Sequence, residues 1–115
     1  MTCDVWQVVV VPFPFTDRAS TKRRPALVLS GRPFNRSGHS VLAMITSASH
    51  LPWPGDTPIR SLEHAGLTAP SLVRMKLFTL DNRFITRRIG TLDEPDQGAV
   101  AEHVRACMSA IAGST

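Results

Sequence analysis

A run of four valines that prolines bring to a stop constrains this chain more than any other feature. Val8-Val9-Val10-Val11 is β-branched and too short for a convincing helix, and Pro12 and Pro14 end it. A second apolar run, Ala26-Leu27-Val28-Leu29, is entered through Pro25 and closed by Ser30-Gly31. The pair reads as two short strands joined by a polar loop, Thr16 to Arg24, which carries Asp17, Arg18, Lys22, Arg23 and Arg24 with no apolar anchor. Pro25 biases Arg24 towards extended geometry, so its side chain projects from the start of a strand. Such a fixed guanidinium suits an anion, and a phosphate backbone is the obvious one. Pro12 and Pro14 remove two backbone donors, which places that end of the first strand on an edge or outside the sheet. Phe13 and Phe15 then share a face, as core filling or as a stacking platform for bases.

The rest of the chain keeps to short elements, and nine prolines in 115 residues enforce this. Ser40 to Ser47 reads as a third strand, apolar from Val41 to Ile45, with Thr46 and Ser47 where it emerges. Two hydroxyls there are a turn signal or, placed opposite Arg24, donors to a phosphate oxygen. Ala48 to Asp56 holds His50, Pro52, Trp53, Pro54 and Gly55 and excludes regular structure. Thr57 to Arg60 is a short strand and Ser61 to Gly66 a tight turn. In the strand Pro70 to Phe78, the set Ser71, Val73, Met75 and Leu77 faces the core and projects Arg74 and Lys76 outward. A turn at Leu80–Arg83 leads to Phe84 to Gly90, a last short strand or a turn of helix followed by one, with the pair Arg87-Arg88. Asp93 caps a closing helix whose apolar face is Val100, Val104, Met108 and Ile111 and which ends at Gly113. These elements predict one domain spanning 1–115, mainly β with a C-terminal helix (α+β), as a small barrel or half-open sheet.

Composition removes several classes of function. With 43% hydrophobic and 19% charged residues the chain is a folded domain rather than a disordered one. No stretch approaches the roughly 20 apolar residues of a membrane span. Cys3 and Cys107, at opposite ends, form no metal spacing and no disulfide framework, which fits a reducing cytosol; a single bridge between them stays open as an alternative. There is no Gly-rich phosphate loop, and no pair among His39, His50, His64 and His103 stands at a coordinating spacing, so neither metal nor cofactor is expected. No nucleophile sits in a strand–turn–helix elbow. What remains is a net charge of +4, a pI near 10.0 and a dispersed basic set: Arg23, Arg24, Arg74, Lys76, Arg83, Arg87 and Arg88. That set is either a solvated surface or, if the strands converge, a site for a polyanion. RNA carries its own nucleophile in the 2′-hydroxyl. A guanidinium and a hydroxyl beside the scissile phosphate suffice to orient it and stabilise the pentacoordinate phosphorus without metal.

The blocks VPFPFTD and KRRPALVLS, the strand ending in ITS, then VRMKLFTLD and the closing helix resemble the MazF/PemK family of toxins, in order from about Val8 to Ala112. Cysteine usage and the lack of an apolar span predict a cytoplasmic protein with no membrane association, and the resemblance implies an SH3-like barrel of five to seven short strands with one to three helices, as a homodimer. It implies a metal-independent endoribonuclease that cuts single-stranded RNA at short sequences, leaving a 2′,3′-cyclic phosphate and a 5′-hydroxyl. A small cognate antitoxin inhibits by threading along the RNA groove. By the same resemblance Arg24 is the catalytic arginine and Thr46 the hydroxyl at the end of the next long strand, with Ser47 beside it. Thr16, Asp17, Lys22 and Arg23 belong to the loop over the site, and Arg74, Lys76 and Arg87 complete the RNA-binding set. Two departures stand out. The family often begins its first strand with Gly-Asp, where this chain has Trp6-Gln7. Several members also carry an aspartate near the strand that reads Val73-Arg74-Met75-Lys76-Leu77, where no carboxylate appears before Asp81. A non-catalytic module that binds RNA or antitoxin, and a gyrase-directed toxin on a related barrel, are the other functions compatible with the resemblance.

Overall fold

A computed structural model describes residues 1–12 and 22–112. Six strands, β1 (Gln7–Pro12), β2 (Arg23–Val28), β3 (His39–Ser47), β4 (Thr57–Pro58), β5 (Ser71–Asp81) and β6 (Arg87–Thr91), form one antiparallel sheet in the order β4-β5-β3-β2-β1-β6. Four helices, α1 (Arg32–Asn35), α2 (Leu62–Ala65), α3 (Glu94–Cys107) and α4 (Ser109–Ala112), are added to it, with a 3-10 turn over Asn82–Phe84. This is the expected mainly-β architecture, a curled half-barrel with a C-terminal helix. The strand at Arg23 begins three residues earlier than its apolar run, so Arg23 and Arg24 sit inside β2 and pair with Pro12 and Val11.

The valine run is continuous because both faces of β1 are covered. Val9 and Val11 join Cys3, Ala26, Val28, Leu42, Phe78 and Ile85 in one cluster. Val8 joins Leu27, Ala43, Ile45, Val73, Leu92 and Val100 in the other, beneath α3. Asp96, 3% exposed, ties α3 down: its carboxylate accepts from the backbone N–H of Arg60 and of Ser61. The apolar face is used along α3, by Val100 and by Val104 against the second cluster, but not beyond its end. Val100 is fully buried, whereas Met108 is 39% and Ile111 76% exposed. Gly113 lies outside the described residues, as do Phe13 and Phe15.

α2 closes the open side against β6 through two glycines. A Cβ on Gly90 would stand 2.4 Å from the carbonyl carbon of Ala65, and one on Gly66, at φ +75, would stand 2.0 Å from the carbonyl oxygen of Ile89. Trp6 adopts φ 73, a left-handed conformation rare for a bulky residue. Its N–H donates to the Val28 carbonyl and its carbonyl accepts from Leu92, both at 2.8 Å, while the ring packs on the second cluster. The Trp-Gln departure therefore occupies a backbone position that glycine takes without strain.

Candidate functional site

The site is built by register. On β1 and β2 Val11 faces Arg24; on β3 and β5 Thr46 faces Leu72. The β2–β3 ladder ends with Ala26 paired to Met44, and Arg24 and Thr46 lie two residues beyond that pair, each on its own strand. Directly paired antiparallel residues share a face. Val9, Ala26, Met44 and Arg74 thus form one row across the sheet, and the pairs Val11–Arg24 and Thr46–Leu72 lie beyond it on the same face. Arg24 is half-buried and Thr46 is 5% exposed.

Beside Arg24 lies an open groove of about 370 Å³ lined by Val10, Arg23, Arg24, Pro25, Thr86 and Arg87. Three arginines from two strands, β2 and β6, line one depression because β1 lies between them; Arg23 and Arg87 share the face of Val10 and Pro25, whereas Arg24 shares the opposite face with Val11. Arg23 and Arg87 are exposed, as is Lys22 just before β2. Thr86 is fixed at the rim, its N–H and hydroxyl both donating to the Val10 carbonyl, at 3.0 and 2.9 Å.

Arg74 is placed differently from its expected outward position. The alternation of β5 is right in parity, since Val73, Met75 and Leu77 do pack in the second cluster. The opposite face is not open, because the segment after β3 folds over it. Arg74 is 6% exposed, and its Nε and Nη2 donate to Asp56 at 3.1 and 3.0 Å while Nη2 also donates to the Leu51 carbonyl at 2.8 Å. Trp53 lies 5.1 Å from the Arg74 guanidinium and 5.6 Å from the Lys76 ammonium, measured to the ring centroid. Burial raises the pKa of Asp56, but the Arg74 hydrogen bond, the Trp53 N–H and the Arg74 charge outweigh it and hold the carboxyl below its ordinary range. Asp56 thereby brings a carboxylate against the strand that has none before Asp81.

Ser47 turns to the face opposite Thr46, as successive strand residues must. It is exposed, and its hydroxyl meets that of Ser49 at 2.8 Å and accepts from the Ser49 N–H. Thr46 instead meets His50: its Oγ1 lies 2.7 Å from Nδ1 of the imidazole. Neither His50 nor Asp56 stands out as a site residue in the sequence. The spacing of four between Thr46 and His50 across a Ser-Ala-Ser turn is the available signal for the first; nothing local marks the second. Thr16 and Asp17 lie outside the described residues. Among the described residues no three metal-binding side chains come together, and no helix is long and apolar enough to cross a membrane.

An open, arginine-lined groove on a curled six-stranded sheet is the frame of a toxin fold of known type. The family model of PemK-like, MazF-like toxins of type II toxin–antitoxin systems matches residues 4–108, and the chain belongs to that family. Among solved structures it is similar to the Mycobacterium tuberculosis toxin MazF-mt6, at 23% identity over 90% of this chain and 96% of that one, with a TM-score of 0.69. It also resembles a MazE–MazF structure from Deinococcus radiodurans, at 20% identity, 95% and 98% coverage and a TM-score of 0.75. An endoribonuclease in complex with its cognate antitoxin from a mycobacterial species shares 14% identity, with 94% of each chain covered and a TM-score of 0.72. No curated protein sequence matches the chain.

Proposed function

We propose that this toxin is a metal-independent endoribonuclease that cuts single-stranded RNA at short sequences. The observation that carries the proposal is that Arg23, Arg24 and Arg87 line one groove, with Arg24 on the face of the sheet that also carries Thr46. The arginines track the phosphate backbone, and Arg24 stabilises the charge that develops on the non-bridging oxygens as the ribose 2′-oxygen attacks phosphorus. The products are a 2′,3′-cyclic phosphate and a 5′-hydroxyl. A guanidinium stays protonated, so the role of Arg24 is electrostatic. Lys22 extends the basic track, and Lys76 lies across the sheet from it beside Trp53.

The cognate antitoxin is the proposed regulatory partner, and a homodimer the proposed assembly. The similar Deinococcus and mycobacterial structures, each a toxin with its antitoxin, support the first of these. The test is to incubate purified, antitoxin-free protein with a transcriptome-sized RNA pool in EDTA and to map the product ends. Discrete cuts bearing 5′-hydroxyls are expected and also supply the recognition sequence. An uncut pool overturns the proposal.

A further inference from the structure

A 2′-hydroxyl that attacks phosphorus must lose its proton, and Arg24 is unsuited to take it. Asp56 is also unsuited, since both of its oxygens accept from Arg74 and Oδ2 accepts from the Trp53 N–H as well. Thr46 carries a hydroxyl, a poor base. Of the two imidazoles at this end of the sheet among the described residues, His103 is bonded to Thr57, which shares the opposite face with Val73, so His50 is the one on the side of Thr46.

Its position is built rather than incidental. The His50 N–H donates to the Ser47 carbonyl at 3.2 Å, closing a turn directly after β3, and the Ser47 and Ser49 hydroxyls staple that turn. The next residue, Leu51, is anchored by Arg74. The turn brings Nδ1 back to within 2.7 Å of Thr46 Oγ1. Thr46 is 5% exposed whereas His50 is exposed, so the ring stands on the solvent side of the pair. Where Thr46 Oγ1 accepts from Nδ1–H, the outer nitrogen, Nε2, holds a lone pair.

We infer that His50 is the general base of the reaction and that Thr46 is its positioning residue. The inference rests on the ribonuclease reading above. Nε2 takes the proton from the 2′-hydroxyl as the P–O2′ bond forms. The P–O5′ bond breaks with its electron pair on the 5′ oxygen, which takes a proton from solvent. In this arrangement the strand that lacks its own carboxylate has no need of one.

The experiment compares cleavage by the parent, His50→Ala, His50→Asn and Arg24→Ala on one RNA, each protein checked for folding by circular dichroism. His50→Ala is expected to lower kcat about 10²- to 10⁴-fold with little change in KM. Added free imidazole is expected to restore part of that loss, and none of the loss in Arg24→Ala. The asparagine amide reaches Thr46 as Nδ1 does but is no base, so His50→Asn stays slow while a purely structural role predicts near-parental cutting. Parental rates in His50→Ala or His50→Asn overturn the inference and leave the ribonuclease reading intact. A parent that cuts no RNA in the pool overturns both.

Discussion

Arg74 shows how much a single residue's role depends on what folds over it. Its parity on β5 was legible from alternation, but the cover provided by the segment from Leu51 to Asp56 was not, because proline-rich loops carry no periodicity. The outcome is an ion pair with side chains 8% and 11% exposed. Breaking such a pair leaves a buried charge without compensation, and Asp56→Asn is expected to cost about 3 kcal/mol, read from urea denaturation. Asp56 also contributes to the acid limb of stability. Its folded pKa is held below the unfolded value, so as pH falls the unfolded chain binds the proton first. The contribution is complete above the ordinary carboxylate range and is lost as pH drops through the lower folded value. The asparagine variant should therefore lose less stability than the parent on acidification, and an equal slope in both would rule out this role for Asp56.

At the scale of elements, the strands were legible where burial on both faces gave unbroken apolar runs, as in β1, or where capping and proline marked a helix start, as at Asp93 and Pro95. The end of α3 was not. Met108 and Ile111 continue the apolar spacing but stay exposed, since α3 ends at Cys107 and Val104 is its last side chain on the core. The contact between α2 and β6 was also silent in the sequence, because two backbones meet there without side chains. Gly90→Ala is expected to destabilise by about 2–3 kcal/mol, since the new methyl group meets backbone that cannot move aside. Gly98, inside α3 with nothing within 4 Å of where a Cβ would stand, provides the opposite case. Gly98→Ala is expected to stabilise by about 0.5–1 kcal/mol. Thermal melts of the two variants decide both signs at once.

For the molecule as a whole, the basic character apparent in the composition becomes a groove only through topology. Arg24 and Arg87 are far apart in the chain and share a depression because β1 pairs with β2 on one side and β6 on the other. The sequence marked each arginine as a candidate without revealing that arrangement. RNA binding should weaken steeply with salt, and Arg87→Ala should make the slope of log K against log salt shallower by about 0.7. An unchanged slope would place the RNA elsewhere. The role proposed for Arg24 is to act on the transition state beside this groove. The most direct measurement is single-turnover cleavage, in EDTA, of an RNA carrying the mapped site, with binding measured separately for the parent and Arg24→Ala. The expected result is that Arg24→Ala slows cutting about 10²- to 10³-fold while binding falls less than tenfold. Cutting at the parental rate by the folded Arg24→Ala protein would contradict the claim.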